Sequence, residues 1–275
     1  MPIRHSSIVN RHLAMAYVAL TIAGSDPSGG AGIQADLKTF QQRGVYGMSV
    51  LTLLTVQNTQ GVRAVEILPA ALVEAQLDAV LEDIPPAAAK TGALGDENTI
   101  RAVAAKAKSF DFPLVVDPVM ISKHGASLLK RGAQSALVEN LLPSAFLVTP
   151  NLHEAGVLAG IQVDTLQSME EAARRLATLG PRAVLIKGGH LTGAAIDLLY
   201  WEGRLWRFSS PRIDTRHTHG TGCTYSAAIT AELAKGRGLL EAVETAKRFI
   251  TAAIRSSPGL GRGCGPVNHH ATIEG

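Results

Sequence analysis

The sequence predicts an α/β fold in which a mostly parallel sheet carries helices on both faces. Three observations predict it. Short apolar runs alternate with helical periodicities along most of the 275 residues, the pattern of a covered parallel sheet. Apolar residues reach 46% while aromatics stay at 4%, and Ala and Leu dominate, which favours helices packed on a sheet over a β-sandwich. Polar or glycine-rich tips follow the apolar runs at Gly24, Gln57, Asp117, Asn151 and Lys187. In such sheets ligands bind outside the carboxyl ends of the strands, so these tips are expected to line one crevice.

Taken in order, Val18 to Ala23 reads as a buried strand and Gly32 to Arg43 as a helix with Ile33, Leu37 and Phe40 on one face. Met48 to Val56 is rich in β-formers. Leu68 to Ile84 is an amphipathic helix, with Leu72, Val73, Leu77, Val80 and Leu81 expected on its buried face. Ala87 to Leu94 reads as a strand, and Asp96 as the cap of a helix running to about Ser109. Phe112 to Val116 is a strand, Ala133 to Leu142 a helix, and Phe146 to Thr149 a strand. Ser168 to Glu171 fits a capping box that opens a helix to Leu179. Ala183 to Ile186 is a strand. Ile196 to Phe208 reads as a hairpin about Glu202-Gly203 and suggests an antiparallel edge. Two helices, Thr221 to Lys235 and Leu239 to Ser256, close the chain. The expected organisation is an N-terminal extension over 1–17 and one domain over 18–275.

Composition excludes several classes. A net charge of +3 without a basic stripe argues against nucleic-acid binding. No apolar window reaches a membrane span, and residues 1–17 lack a signal-peptide pattern. The two cysteines, Cys223 and Cys264, lack metal-ligand spacing and are expected as reduced thiols in a cytoplasmic protein.

The strongest local signal is His219-Gly220-Thr221-Gly222-Cys223-Thr224 ahead of a helix of small residues. Glycines admit close backbone approach, and free amides at a helix start hold an anion such as a transferring phosphate. The same positive end is expected to lower the pKa of Cys223. The plainer reading is a glycine turn with a buried cysteine. Asp117 and Glu154, at neighbouring strand ends, suit Mg²⁺, or else begin a turn and cap a helix. Lys187 before two glycines could reach a nucleotide phosphate, or be solvated. Gly24 to Gly32 is a glycine-rich loop but no Walker loop, since no Gly-Lys-Ser/Thr follows. Asp36 follows it on the helix. Gln57 offers a donor and an acceptor suited to an aminopyrimidine edge, or is a surface amide.

The segments AGSDPSGGAGIQADLKTFQQRGVYGMSVLTLLTVQNTQGV, KTGAL, DPVM, TPNLHEA, KGGH and HGTGCTYSAAI occur in that order from about Ala19 to His269. Together they resemble the hydroxymethylpyrimidine and phosphomethylpyrimidine kinases. The resemblance implies a three-layer ribokinase-like fold and two successive ATP-dependent phosphorylations in thiamin biosynthesis, first of 4-amino-5-hydroxymethyl-2-methylpyrimidine and then of its monophosphate. It implies Cys223 as catalytic base, with Gly220, Thr221 and Gly222 forming the anion hole. It implies Gln57, Asp36 and the Gly24 backbone on the substrate, Lys187 and Thr218 on ATP, and Asp117 and Glu154 near Mg²⁺. It also implies a homodimer. Ala93 stands where the family often has Met, leaving space over the ring. Three rivals remain: a pyridoxal kinase, against which Gln57-Asn58-Thr59 argues; a cysteine hydrolase pairing Cys223 with His217 or His219; and a pyrimidine sensor without turnover.

Overall fold

The computed structural model describes residues 17–121, 125, 128–130, 132–189 and 194–273. Residues 1–16 of the expected extension and His190 of the KGGH segment lie outside the described residues.

Among the described residues nine strands form one sheet in the order β3-β2-β1-β4-β5-β6-β7-β8-β9. The strands are β1 (Val18–Ser25), β2 (Tyr46–Asn58), β3 (Gly61–Ile67), β4 (Ala88–Thr91), β5 (Leu114–Val116), β6 (Leu147–Val148), β7 (Ala183–Ile186), β8 (Ala195–Trp201) and β9 (Arg204–Ser210). From β2 to β7 all neighbours are parallel. The expected hairpin β8–β9 is antiparallel and joins β7 antiparallel. Glu202 and Gly203 both take positive φ, 50° and 74°, which matches a two-residue hairpin turn to the twist of its strands.

The sheet has a second antiparallel edge, β3 against β2, that the sequence did not announce. Its alternation is mostly half-exposed, so no clean apolar run marks it. The turn before it is closed by Asn58, whose side chain accepts from the Gln60 amide at 2.9 Å. β1 has β2 on one side and β4 on the other. The chain therefore winds one way from β1 and returns past it, and the crevice opens at that switch.

Successive strand residues face opposite helix layers, as the two-residue period requires. Leu20 and Ile22 belong to the apolar layer that also takes in α2 (Ala70–Asp83), α3 (Glu97–Ala107), α4 (Ala133–Ala136), α5 (Leu152–Ala159) and α6 (Leu166–Ala177). Ala19 packs with α1 (Gly32–Gln42), α7 (Thr221–Ala234) and α8 (Leu239–Arg255). α7 is buried from Thr224 to Ala234, because α1 and α8 both pack on it. Its small side chains allow that close approach.

Several boundaries differ from the sequence reading. Leu72 is 48% exposed, while Val73 and Leu77 carry the buried face of α2. The helix expected over Ala133 to Leu142 is α-helical only to Ala136, then passes through a π turn, Leu137–Leu141, and a 3₁₀ turn, Leu142–Ser144. Pro143 has no amide to continue an α-helical ladder. α6 begins three residues earlier than expected. Thr165 is the cap and Ser168 the third helical residue, whose hydroxyl reaches back to the Thr165 amide at 3.0 Å. Asp96 caps α3 as expected, accepting from Thr99 at 3.0 Å.

Candidate active site

The strand ends open into a cavity of about 1460 Å³. Gly24, Asp36, Gln57, Asp117, Glu154, Lys187, Thr218, Gly220, Thr221, Gly222 and Cys223 all line it. Residues from seven strands and helices, or the turns beside them, are thus brought together.

Two glycine loops form part of the cavity wall. Gly220 caps α7 with φ 78°, and a Cβ there would lie 1.7 Å from the Gly30 carbonyl oxygen. Only glycine fits, for both reasons. A Cβ on Gly32 would lie 2.2 Å from the Gly24 carbonyl oxygen. α7 has no side-chain cap. The Thr221 amide bonds the Thr218 carbonyl at 3.3 Å, and the Thr224 amide bonds Gly220 at 2.8 Å. Gly222 and Cys223 supply the remaining first-turn amides, which have no carbonyl four residues back within the helix. They are the donors this end can offer to an anion.

Cys223 is half-buried, and the Gly32 amide hydrogen-bonds its sulfur. It therefore sits where the N-termini of α1 and α7 meet. The expected lowering of its pKa is not what this setting produces. Burial pushes the thiol up to about 11, and Asp36 and Asp117 add to the shift against the pull of Lys90 and the Gly32 amide. A helix end acts over one turn, whereas losing water penalises the thiolate outright.

Lys90 is the principal residue that the sequence reading did not single out. It is fully buried, 2.8 Å from Asp36 Oδ1 and 3.4 Å from the Cys223 carbonyl. Asp36 Oδ2 accepts from Thr21 Oγ1 at 2.6 Å. Burial disfavours the charge of Lys90, but Asp36, Cys223 and Asp117 together hold its pKa above the ordinary value. A lysine inside the apolar run Ala87 to Thr91 was the available clue.

On the other flank Lys187 Nζ lies 2.8 Å from Asp117 Oδ1. Asp117 also accepts from Thr149 Oγ1 and Ser226 Oγ, each at 3.2 Å. Burial opposes its charge, yet Lys187 and Lys90 hold the carboxyl below its usual range. Gly222 packs beside this pair: a Cβ there would lie 3.3 Å from Lys187 Nζ. Glu154 does cap a helix. It forms a reciprocal capping box with Asn151, at 2.8 and 2.9 Å. It also lines the cavity, where burial, aided by Asp117 and opposed by Lys187, pushes its carboxyl up to about 7.

Also on the cavity wall, Gln57 Nε2 lies 3.2 Å from His219 Nε2, and His219 Nε2 lies 2.7 Å from Asp26 Oδ2. His217 Nδ1 accepts from the Gly265 amide at 3.2 Å. Both histidines thus help build loops, a poor fit to a cysteine hydrolase. Past Gly189 the cavity extends to Arg212 and to Ile250 and Ile254 of α8.

A family model described as phosphomethylpyrimidine kinase matches residues 26–268. The chain is 56% identical over 257 residues to the thiamine biosynthesis bifunctional protein ThiED of Geobacter sulfurreducens, covering 93% of this chain and 52% of that protein. It therefore spans about half the length of that relative. It is 51% identical to the hydroxymethylpyrimidine/phosphomethylpyrimidine kinase of Haemophilus influenzae, covering 92% of this chain and 96% of that one. An ADP complex of Bacillus subtilis pyridoxal kinase superposes with a TM-score of 0.86 at 43% identity, over 93% of this chain and 98% of that one.

Proposed function

Because the chain belongs to the phosphomethylpyrimidine kinase family, we propose that it transfers the γ-phosphoryl group of ATP to the hydroxymethyl group of 4-amino-5-hydroxymethyl-2-methylpyrimidine. A second transfer, to the resulting monophosphate, gives the diphosphate for thiamin biosynthesis. The observation that carries this reading is one cavity flanked by the open N-terminus of α7, the Lys187–Asp117 pair and Gln57.

The hydroxymethyl oxygen attacks the γ-phosphorus in line, the bond to the β–γ bridging oxygen breaks, and ADP leaves. Cys223 accepts the hydroxyl proton. The Gly222 and Cys223 amides face the charge that builds on the transferring group, and Lys187 leaves Asp117 for a phosphate oxygen. Gln57 and the Gly24 backbone hold the ring, with Asp36 acting through Lys90 at the back wall. Thr218 lies on the ATP side. Asp117 and Glu154 fit Mg²⁺, which takes one or two carboxylates together with substrate phosphates and water instead of an all-protein cage. Among the described residues no three His, Cys, Asp or Glu form such a cage. Bound there, Mg²⁺ would neutralise phosphate charge.

Cys223 works as a base only as thiolate. With its thiol at about 11, the first phosphorylation is expected to quicken with pH throughout the neutral range. The second nucleophile is a phosphate oxygen, ionised already near pH 7, and needs no base. Cys223→Ala should therefore slow the first step by about 10²–10⁴-fold and the second much less. ATP consumption with each pyrimidine tests this. Equal effects on both steps, or near-normal turnover on the first, would remove Cys223 as the base.

Pyridoxal is a second reading, favoured by the pyridoxal kinase that shares this fold at 43% identity. Turnover of pyridoxal alone would move the assignment there. The homodimer and the cytoplasmic setting belong to the proposal. Among the described residues no helix is long and apolar enough to cross a membrane.

A further inference from the structure

The Asp26 carboxylate makes five close contacts, and none of them enters the phosphoryl transfer described above. Oδ1 accepts from the Ser28 amide at 2.9 Å and the Ser28 hydroxyl at 2.7 Å. Oδ2 accepts from the Gly30 amide at 3.2 Å, the Ala31 amide at 2.9 Å, and stands 2.7 Å from His219 Nε2. Both Asp26 and His219 are 3% exposed. The imidazole is clamped by its backbone too, through Gly265 at 3.0 Å and Val267 at 3.1 Å. Gly30 packs on its ring so closely that a Cβ there would meet His219 Cδ2 at 2.5 Å.

One ring nitrogen faces two partners. His219 Nε2 has Asp26 at 2.7 Å and the Gln57 amide nitrogen at 3.2 Å. A single imidazole nitrogen either donates or accepts. Asp26 is an acceptor only, is the nearer, and is an anion. Burial works against its charge, but His219 and Ser28 hold its carboxyl below the ordinary range. The proton therefore stays on Nε2, pointing at Asp26, whether the ring is neutral or charged. That nitrogen cannot then accept from Gln57, and the Gln57 NH₂ group keeps its donors for a ligand.

We propose that Asp26 is a positioning residue for recognition of the ring: by fixing the proton on His219 Nε2 it dictates that Gln57 presents its amide donors to a ring acceptor in the cavity. This rests on the pyrimidine reading of the site. Breaking the relay leaves His219 Nε2 free to accept from Gln57, whose donors then turn from the substrate to the protein. The cost falls on binding of the ring and not on the phosphoryl group.

The test is a double-mutant cycle with Asp26→Asn and Gln57→Ala, reading KM for hydroxymethylpyrimidine, KM for ATP and kcat. Asp26→Asn should raise the pyrimidine KM about tenfold, the worth of one good hydrogen bond, with ATP KM and kcat changed less than about threefold. The double variant should be no worse than Gln57→Ala alone, since the two act in series. Additive effects, or a loss in kcat with KM unchanged, would overturn the proposal and leave Asp26 a loop residue. Nitrogen-15 NMR of the ligand-free wild type reads the tautomer without any substrate. A proton on His219 Nε2 supports the relay, and a bare Nε2 refutes it even if the kinase reading stands.

Discussion

Two lysine–aspartate pairs flank the Gly220–Cys223 loop with the same separation and opposite surroundings. Lys90–Asp36 and Lys187–Asp117 are each 2.8 Å apart. The first pair is sealed, with both side chains at 0% exposure. In the second, Asp117 is sealed at 1% but Lys187 keeps 14% exposure toward the cavity. Asp36 already serves Thr21 as well as Lys90, so the sealed pair has little to offer a ligand directly. What it offers is a fixed positive charge behind Cys223 and a rigid seat for α1. The open pair can trade partners because Lys187 is accessible; in the proposed reaction it leaves the carboxylate for a phosphate. Distance alone does not separate scaffold from machinery here. Access does.

The comparison can be broken at either pair. The largest effect is expected from Lys90→Met, which strands Asp36 in a dry interior. Stability should fall by about 3–5 kcal/mol, read by denaturant unfolding. A variant as stable as wild type would mean that the sealed pair is no anchor. Lys187→Met should do the reverse. It should cut kcat/KM for ATP by about 10²–10³-fold while costing less stability than Lys90→Met, measured by the same denaturant unfolding. If the two variants lose stability equally, the distinction by access fails.

Glu154 sharpens the same contrast, since it is both a helix cap and a cavity residue. Its carboxyl stands at about 7 in the folded chain against an ordinary 4.5. Between those values the folded state holds more protons than the unfolded state, so stability is greatest below pH 4.5 on this account and drains away as pH rises toward 7. Glu154→Gln keeps the capping-box geometry and removes the titration. Its melting temperature should lose that downward slope, while half-saturation by Mg²⁺ moves upward. An unchanged slope would place the titrating group elsewhere.

Much of this was legible in the chain. The alternation of strands and helices, the hairpin at Glu202-Gly203 and the convergence of Gly24, Gln57, Asp117 and Lys187 on one cavity all follow from local pattern. β3 was not legible, because a half-exposed edge strand has no clean periodicity. The start of α6 was displaced because Thr165 and Ser168 both look like caps, and only the helix geometry chooses between them. In the site, spacing suggested a helix-activated thiol at Cys223. It could not weigh burial against that field, nor place Lys90 and Asp36, 54 positions apart, beside one another. Pairings of that kind belong to the fold and have no signature in any single segment.

The seating of Gly220 on the Gly30 carbonyl has an evolutionary consequence. The two loops touch backbone to backbone, so neither can gain a side chain, lengthen or shift while the other stays. In a family of such sequences, residues 24–32 and 218–223 should travel as one inherited unit despite the long stretch of chain between them. A chimera that takes one loop from a distant relative should need the other to come with it.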